Sequence, residues 1–388
     1  MILLTPGPTP VPDRVLDAMR RQPIPHRSRA FETLLAGCQP GLRRLFSTDG
    51  AVLTLAGSGT TAMEAIIRSL APVSGSVVAC HSGKFGERWA EAARRAVAGR
   101  GGAVREVRAP WGEPITPDAL RAALAAAPDA GLVVFVHSET STATASDARA
   151  LASVVRESAP GALVAMDAVT SAGVLPLEMD RWGIDAAATA SQKALGLPPG
   201  LGFVALGERA EARLADAAPD LSLSLDLARA LGAHRAGRTP FTPAINLVFG
   251  LAEALAMIDE EGAGARVERA ARLARATRSA AGAAGLGLPS RAPSDAVTAV
   301  EAPDGLADRA RAWCERERGV LLAGGQNQWA GRVMRISHMG SVGDAQTRAG
   351  VGAILDALDG LAPGAFDTAA GRDALEARLA EPIRGSAA

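Results

Sequence analysis

Lysine occurs at two positions in this chain, Lys84 and Lys193, although lysine and arginine together number 41 among 388 residues. A guanidinium stays protonated in a protein, whereas a buried amine can lose its proton and attack a carbonyl group. Lys193 follows a run of small residues, 186–190, that predicts a strand, and the Pro-Pro-Gly sequence at 198–200 predicts a turn. We expect the Lys193 amine at a strand end, where it could react; a solvated surface charge is the alternative, and is what we expect of Lys84.

Asp167 ends the apolar segment 163–166, which predicts a buried strand. An unpaired carboxylate there would be costly, so Asp167 either caps the following turn or pairs with a cationic group such as a protonated ring nitrogen. It lies 26 residues before Lys193, which leaves room for one connection and one more strand. Both side chains can therefore flank one ligand.

A glycine-rich turn, Gly-Ser-Gly-Thr at 57–60, stands between a predicted strand and a predicted helix. Free N–H groups at a helix N-terminus bind phosphate, although a purely structural turn is the alternative. The turn also fits the dinucleotide pattern G-x-G-x-x-A, but the next strand, 77–81, ends without an acidic residue to hold a ribose, so we retain phosphate and discard NAD. An amine for a Schiff base, a carboxylate for a pyridinium and a phosphate site together specify pyridoxal phosphate.

Composition excludes several other classes. The net charge is zero and the pI is about 7.0, so neither nucleic acid nor an anionic membrane is favoured as a partner. Three cysteines, at 38, 80 and 314, are far apart and odd in number, and the five histidines show no ligand spacing, so we expect no metal site and no disulfide framework. With no leader pattern and no apolar stretch of bilayer length, we expect a cytoplasmic protein.

The elements that must position these residues alternate between strand and helix from residue 51 to 166. Fully apolar strands such as 132–136 predict an α/β fold with a mostly parallel sheet covered by helices on both faces. Ligands of such sheets bind at the carboxyl ends of the strands. The three candidate groups above all fall at such ends.

Three segments are predicted. Residues 1–14 form an N-terminal arm, because residues 3–12 are too rich in proline for regular structure. Residues 15–262 form a large cofactor-binding domain. A long helical stretch is interrupted around Gly262, and we place there the boundary to a smaller C-terminal α/β domain, 263–388.

The chain resembles the class V aminotransferases of the fold-type I pyridoxal-phosphate enzymes, and within them the alanine/serine–glyoxylate or pyruvate group. The resemblance covers nearly the whole length. Its motifs stand, in order, at residues 6–9, 26–28, 57–59, 83–88, 137–142, 166–171, 191–194, 198–200, 242–243 and 334–340.

This resemblance implies a role for each matched residue. Lys193 is the Schiff-base lysine, and Asp167 pairs with the pyridine nitrogen. Phe85 stacks on the ring, and Arg335 binds the substrate carboxylate as a two-pronged fork. Two further contacts to the ring are implied, from Thr140 near its hydroxyl and Val169 beneath it. The phosphate is held by Ser58, Gly59, Thr60 and Gln192, and by Thr242 of the other subunit of a homodimer.

The chain departs from the family pattern at two places. Relatives often add a tyrosine to the phosphate site across the dimer interface, and this chain has no tyrosine, so Arg238 is a candidate replacement. Relatives also have glycine where Ala143 stands, which we expect to tighten that turn. A local alternative for Thr242 is that it caps the helix that follows Pro243.

We predict a transaminase that moves an amino group from a small amino acid, alanine or serine, to glyoxylate or pyruvate. The alternatives are a lyase or a cysteine desulfurase of the same fold, a transaminase with another donor such as aspartate, or a non-catalytic sensor that keeps the cofactor site. Against the desulfurase, Cys314 lies in a helical pattern, and against the sensor, the chain has no basic extension.

Overall fold

A computed structural model describes residues 1–98, 101–216, 222–303 and 305–382. The elements of its first half are β1 (Ile2–Leu3), α1 (Asp13–Met19), α2 (Arg29–Phe46), β2 (Ala51–Gly57), α3 (Gly59–Leu70), β3 (Ser76–His81), α4 (Lys84–Val97), β4 (Ala103–Arg108), α5 (Pro117–Ala125), β5 (Ala130–Val136), β6 (Ser138–Glu139), β7 (Thr144–Ala145), α6 (Ala148–Ser158), β8 (Leu163–Asp167), α7 (Met179–Trp182) and β9 (Ala186–Ala190).

The elements of the second half are β10 (Gly200–Leu206), α8 (Glu208–Ala215), α9 (Leu227–Arg235), α10 (Ile245–Glu261), α11 (Ala263–Ala283), β11 (Val297–Glu301), α12 (Leu306–Arg318), β12 (Val320–Leu321), β13 (Ala323–Gly324), a short 3-10 helix (Asn327–Trp329), β14 (Val333–Ser337), α13 (Asp344–Leu361) and α14 (Thr368–Leu379). Among the residues that the structure describes, no helix combines the length and the hydropathy of a transmembrane span.

The largest sheet among the described residues has seven strands in the order β2-β10-β9-β8-β5-β3-β4. From β9 to β4 the neighbouring strands run parallel, and β10 runs antiparallel to both β2 and β9. Alternate residues of β5 enter different hydrophobic clusters, Leu132 and Val134 on one face and Val133 and Phe135 on the other. The predicted mostly parallel sheet with two buried faces is confirmed, but the antiparallel strand β10 was not predicted.

A second, smaller sheet joins β11, β14 and β13 in antiparallel pairs. A separate hydrophobic cluster lies beneath it and includes Leu273 of α11, Met334 of β14 and Ile354 of α13. Helix α10 ends at Glu261 and α11 begins at Ala263. The division into a large and a small domain at this point stays a prediction.

Residues 4–12 of the N-terminal arm contain no helix or strand, as predicted, and only Leu3 of the predicted range belongs to a short strand, β1. Strand β1 pairs in parallel with β12, so that Ile2 lies opposite Val320 and Leu3 opposite Leu321. Proline begins only at position 6, so the first residues have the N–H groups that pairing needs. The arm is thereby tied to the C-terminal part of the chain before it crosses to Lys193.

Candidate active site

A cavity of about 220 Å³ lies at the carboxyl ends of strands of the large sheet. It brings together predicted residues from segments far apart in sequence, in agreement with the rule that parallel sheets bind ligands at this edge. Arg335 and Thr242, both described, are not among the residues that line it. The predicted residues around the cavity are Ser58, Gly59, Thr60, Phe85, Thr140, Asp167, Val169, Gln192 and Lys193.

Lys193 lies just beyond β9 and is buried. Its Nζ donates a hydrogen bond to the carbonyl oxygen of Pro6 at 2.5 Å, so the N-terminal arm covers the amine. Burial lowers the pKa of Lys193 from its usual value to about 8, and the carboxylate of Asp167 opposes that shift. A larger fraction of this amine is therefore neutral near physiological pH than for an exposed lysine.

The backbone around Lys193 is held by the arm. The hydroxyl of Thr9 donates to the carbonyl of Lys193 at 2.7 Å, and the N–H of Thr9 donates to the carbonyl of Gln192 at 3.1 Å. A Cβ on Gly7 would lie 2.9 Å from Cε and Nζ of Lys193, and the φ of Gly7 is +144°. Glycine is thus required here for the arm to approach the lysine so closely.

Asp167 is the last residue of β8, and its buried carboxylate has two donors. The N–H of Val169 donates to Oδ1 at 2.8 Å, and the indole Nε1 of Trp89 donates to Oδ2 at 2.9 Å. Burial raises the pKa of the Asp167 carboxyl, and these hydrogen bonds oppose the rise. Our reading of the sequence missed Trp89, although it lies four residues after Phe85 and so on the same face of α4.

The N-terminus of α3 faces the cavity. The first main-chain hydrogen bond within the helix runs from the N–H of Ala62 to the carbonyl of Ser58 at 3.1 Å, and a capping box between Ser58 and Thr61 includes a hydrogen bond from the Ser58 N–H to Oγ1 of Thr61 at 3.0 Å. Among the described residues this leaves the N–H groups of Gly59 and Thr60 without an acceptor. The side-chain Oε1 of Gln192 is buried without a hydrogen-bond partner among the described residues. The free N–H groups at the start of α3, the Ser58 hydroxyl and the side-chain amide nitrogen of Gln192 are the donors that can form a cradle for an anion.

Arg88 is a second residue that the sequence analysis did not assign to the site. Its guanidinium donates to Oγ1 of Thr60 at 2.9 Å and lies 4.9 Å from the centre of the Phe85 ring. It lines the cavity and also a charged surface pocket that contains Lys84. Arg88 thus adds a positive charge beside the α3 N-terminus.

Arg335 lies on β14 and is buried with two backbone acceptors. Its Nε donates to the carbonyl of Gly324 and its Nη1 to the carbonyl of Thr140, both at 2.9 Å. Burial lowers the pKa of Arg335 to about 10, and Glu139 opposes that shift. The guanidinium therefore remains a cation at neutral pH.

Glu139 was also missed, and it fixes the start of α4. Its Oε2 accepts from the N–H groups of Phe85 and Gly86, both at 3.0 Å, and its Oε1 accepts from the N–H of Ser141 at 3.0 Å and from the Ser141 hydroxyl at 2.6 Å. Four donors around one carboxylate favour the ionised form, although burial raises the pKa of Glu139. The backbone that carries Phe85 is thereby held against the cavity.

Thr242 and Arg238 lie outside the cavity. Thr242 is exposed, and α10 begins at Ile245 after Ala244, without a side-chain cap, so the alternative that Thr242 caps this helix is wrong. Nε of Arg238 forms an ion pair with Glu32 of the same chain at 2.7 Å. Ala143 has a φ of +52°, a conformation that favours glycine, which agrees with its place in a tight turn.

Cys314 is buried within α12, as the helical pattern predicted. Burial raises the pKa of its thiol to about 12, so the reactive thiolate is scarce. The described residues contain no group of three or more His, Cys, Asp or Glu side chains that could hold a metal ion.

Comparison with known proteins extends these observations. The model of the family "Aminotransferase class-V" matches residues 1–286. The soluble hydrogenase small subunit of a Synechococcus species is 40% identical over 96% of this chain and 97% of its own length. The serine–glyoxylate aminotransferase of Methylorubrum extorquens is 34% identical over 88% of this chain and 87% of its own.

A solved structure, the aspartate aminotransferase of subgroup IV from Thermus thermophilus, has a TM-score of 0.85 against this chain. It is 35% identical and covers 93% of this chain and 99% of that one. The predicted fold-type I architecture is confirmed by this likeness over nearly the whole length. The family model, the serine–glyoxylate aminotransferase relative and the fold agree, and the chain belongs to the class-V aminotransferase family.

Proposed function

We propose that this aminotransferase uses pyridoxal phosphate and transfers the amino group of alanine or serine to glyoxylate or pyruvate. One observation carries the cofactor assignment. A buried lysine amine, a buried carboxylate and a helix N-terminus line the same cavity. They suit the carbonyl, the ring nitrogen and the phosphate of the cofactor, respectively.

The residues present fit pyridoxal phosphate. The Asp167 carboxylate would pair with the ring nitrogen, Val169 and Phe85 would enclose the ring, and Thr140 would lie near its hydroxyl. The phosphate would take the N–H groups at the start of α3, the Ser58 hydroxyl and the side-chain amide nitrogen of Gln192, because each of these groups can donate a hydrogen bond to an anion. Gly59 suits this cradle, because a Cβ there would lie 2.8 Å from Cγ2 of Val169.

Each group of the protein then has a distinct task. Pyridoxal phosphate supplies a carbonyl for amines and a ring that accepts electrons. The Nζ of Lys193, whose pKa is lowered to about 8, would take the proton from the Cα of the amino donor and, in the second half of the reaction, give a proton to the Cα of the keto acceptor. Asp167 would keep the ring nitrogen protonated, and Arg335, which donates a hydrogen bond to the carbonyl of the cavity residue Thr140, would bind the substrate carboxylate.

The choice of donor and acceptor rests on the relatives. The Methylorubrum relative is named for serine and glyoxylate, which favours a small donor. The Thermus structure is named for aspartate, so aspartate is the second candidate donor. Purified protein with added cofactor should be offered alanine, serine and aspartate against glyoxylate and pyruvate. The highest kcat/KM should belong to alanine or serine with glyoxylate or pyruvate; a clear preference for aspartate would replace this donor assignment.

A desulfurase or lyase is the other candidate activity. The buried, helical position of Cys314 argues against a mobile cysteine that attacks a substrate sulfur. Sulfide release from cysteine in the same assay would reverse this conclusion.

We also propose that the protein is a homodimer in which Thr242 reaches the phosphate of the partner's site. The segment around Thr242 contains Pro240 and Pro243; Phe241 and Thr242 are exposed, Pro240 is half-buried, and Thr239 and Pro243 are buried. A stiff, exposed segment is suited to hold a hydroxyl across an interface, and a two-fold axis makes the exchange reciprocal.

Subunit mixing tests this arrangement. Thr242→Asp places a negative charge against the phosphate and should weaken cofactor binding, and Lys193→Ala should be inactive. Random mixing of the two variants gives heterodimers with one site free of both defects, so roughly a quarter of wild-type activity should return. If Thr242 acts only within its own chain, the mixture will be no more active than the sum of its parts. A mixture of Lys193→Ala with the double variant Lys193→Ala, Thr242→Asp is the matched control.

A further inference from the structure

Trp89 is the side chain of α4 that contacts Asp167. It is fully buried and packs in the hydrophobic cluster between the helices and one face of the large sheet. Its indole Nε1 lies 2.9 Å from Oδ2 of Asp167. A tryptophan that serves packing alone could donate its N–H to any buried acceptor. Here the acceptor is the carboxylate of Asp167, which lines the cavity.

The indole N–H can donate a hydrogen bond but cannot accept one. It therefore stabilises Asp167 most when the carboxyl is ionised, because hydrogen bonds to charged acceptors are the stronger ones. The N–H of Val169 donates a hydrogen bond to Oδ1 of Asp167 at 2.8 Å. Each carboxylate oxygen can accept twice, so both retain capacity for a donor in the cavity.

We propose that Trp89 is a positioning residue that orients the Asp167 carboxylate and holds it as an anion for the protonated ring nitrogen of the cofactor. This inference rests on the proposed pyridoxal-phosphate site. Without the indole N–H, the buried carboxylate would have one fewer donor to offset its loss of water. It would then take up a proton more readily and lose its attraction for the ring.

Other charged groups also act on Asp167. Lys193 and Arg88 are the cations that favour its ionised form, and Glu139 is a nearby carboxylate that interacts unfavourably with it. The cofactor phosphate titrates in the same pH range. All of these remain in a Trp89 variant, so a comparison of wild type and variant at each pH isolates the contribution of the indole.

The test is the affinity of the cofactor-free protein for pyridoxal phosphate, followed by absorbance from pH 5 to 9. Trp89→Phe keeps an aromatic ring in the cluster and removes the N–H. We expect similar affinities at the alkaline end and an acid-side loss of binding whose midpoint lies about one pH unit higher in the variant. One pH unit is a tenfold change in proton affinity, about 1.4 kcal/mol.

Two further variants make the test decisive. Trp89→Leu also lacks the N–H but packs less well, so it should show the same midpoint as Trp89→Phe with a lower stability in denaturant. Trp313→Phe, on α12 and outside the cavity, should behave like wild type. If both Trp89 variants keep the wild-type midpoint and only lose affinity uniformly, Trp89 serves packing alone and the inference is wrong. Failure of the wild-type protein to bind pyridoxal phosphate would instead overturn the proposed function.

Discussion

Replacing Lys193 with alanine should remove transamination almost completely, with kcat lower by at least roughly 10³-fold, because in the proposed mechanism one amine serves as both the covalent partner of the cofactor and the proton carrier. The cofactor should still bind, since Asp167 and the α3 N-terminus hold its ring and phosphate independently of Lys193. Kinetics with the preferred donor and a spectral titration of the variant with pyridoxal phosphate would measure both effects.

The scarcity of lysine makes the attachment site easy to identify. Borohydride reduction of the wild-type protein with cofactor, followed by peptide mass mapping, should leave the cofactor's mass on the peptide that contains Lys193. Lys84 is the natural control, because it lies at the start of α4 and lines the charged surface pocket. Lys84→Arg should keep the adduct; an adduct on Lys84, or on neither lysine, would refute the proposed mechanism.

Sequence patterns were sufficient to predict the positions of three cavity residues that depend on local structure. An apolar strand followed by a polar residue placed Asp167, and a glycine turn before a helix placed Ser58. A lysine between a small-residue strand and a Pro-Pro-Gly turn placed Lys193. In each case the feature depends on a few consecutive residues, and the parallel sheet then brings the strand ends to one edge.

The missed features depend on contacts between distant segments. Strand β10 follows two prolines, and its place between β2 and β9 is set by pairing with strands far along the chain. Nothing in the local sequence distinguishes Glu139 from other acidic residues. Its partners, the N–H groups of Phe85 and Gly86 in α4, lie more than 50 positions away in the chain. Trp89 was the exception, since its spacing from Phe85 already indicated a shared helix face.

Two backbone contacts fix the orientation of Arg335, the residue that we propose binds the substrate carboxylate. Its Nε and Nη1 are held by the carbonyls of Gly324 and Thr140, which fixes the plane of the guanidinium. The described residues give its Nη2 group no hydrogen-bond acceptor, so Nη2 is available to donate hydrogen bonds to a substrate carboxylate. The Thr140 contact also links β14 of the C-terminal part to the loop that lines the cavity.

Replacing Arg335 with alanine should therefore weaken the binding of both amino and keto substrates and leave the cofactor bound. Loss of a buried, charge-assisted contact costs about 2–5 kcal/mol, which corresponds to roughly 30- to 5,000-fold in kcat/KM. Arg335→Lys keeps the positive charge but not the two-pronged geometry, so its kcat/KM should lie between those of the wild type and Arg335→Ala. Arg332, an exposed residue of the adjoining loop that pairs with Glu301, supplies the matched control, and Arg332→Ala should change little. If Arg335→Ala instead loses the cofactor, or binds its substrates normally, Arg335 is a structural residue that braces Thr140, and another cation must bind the carboxylate.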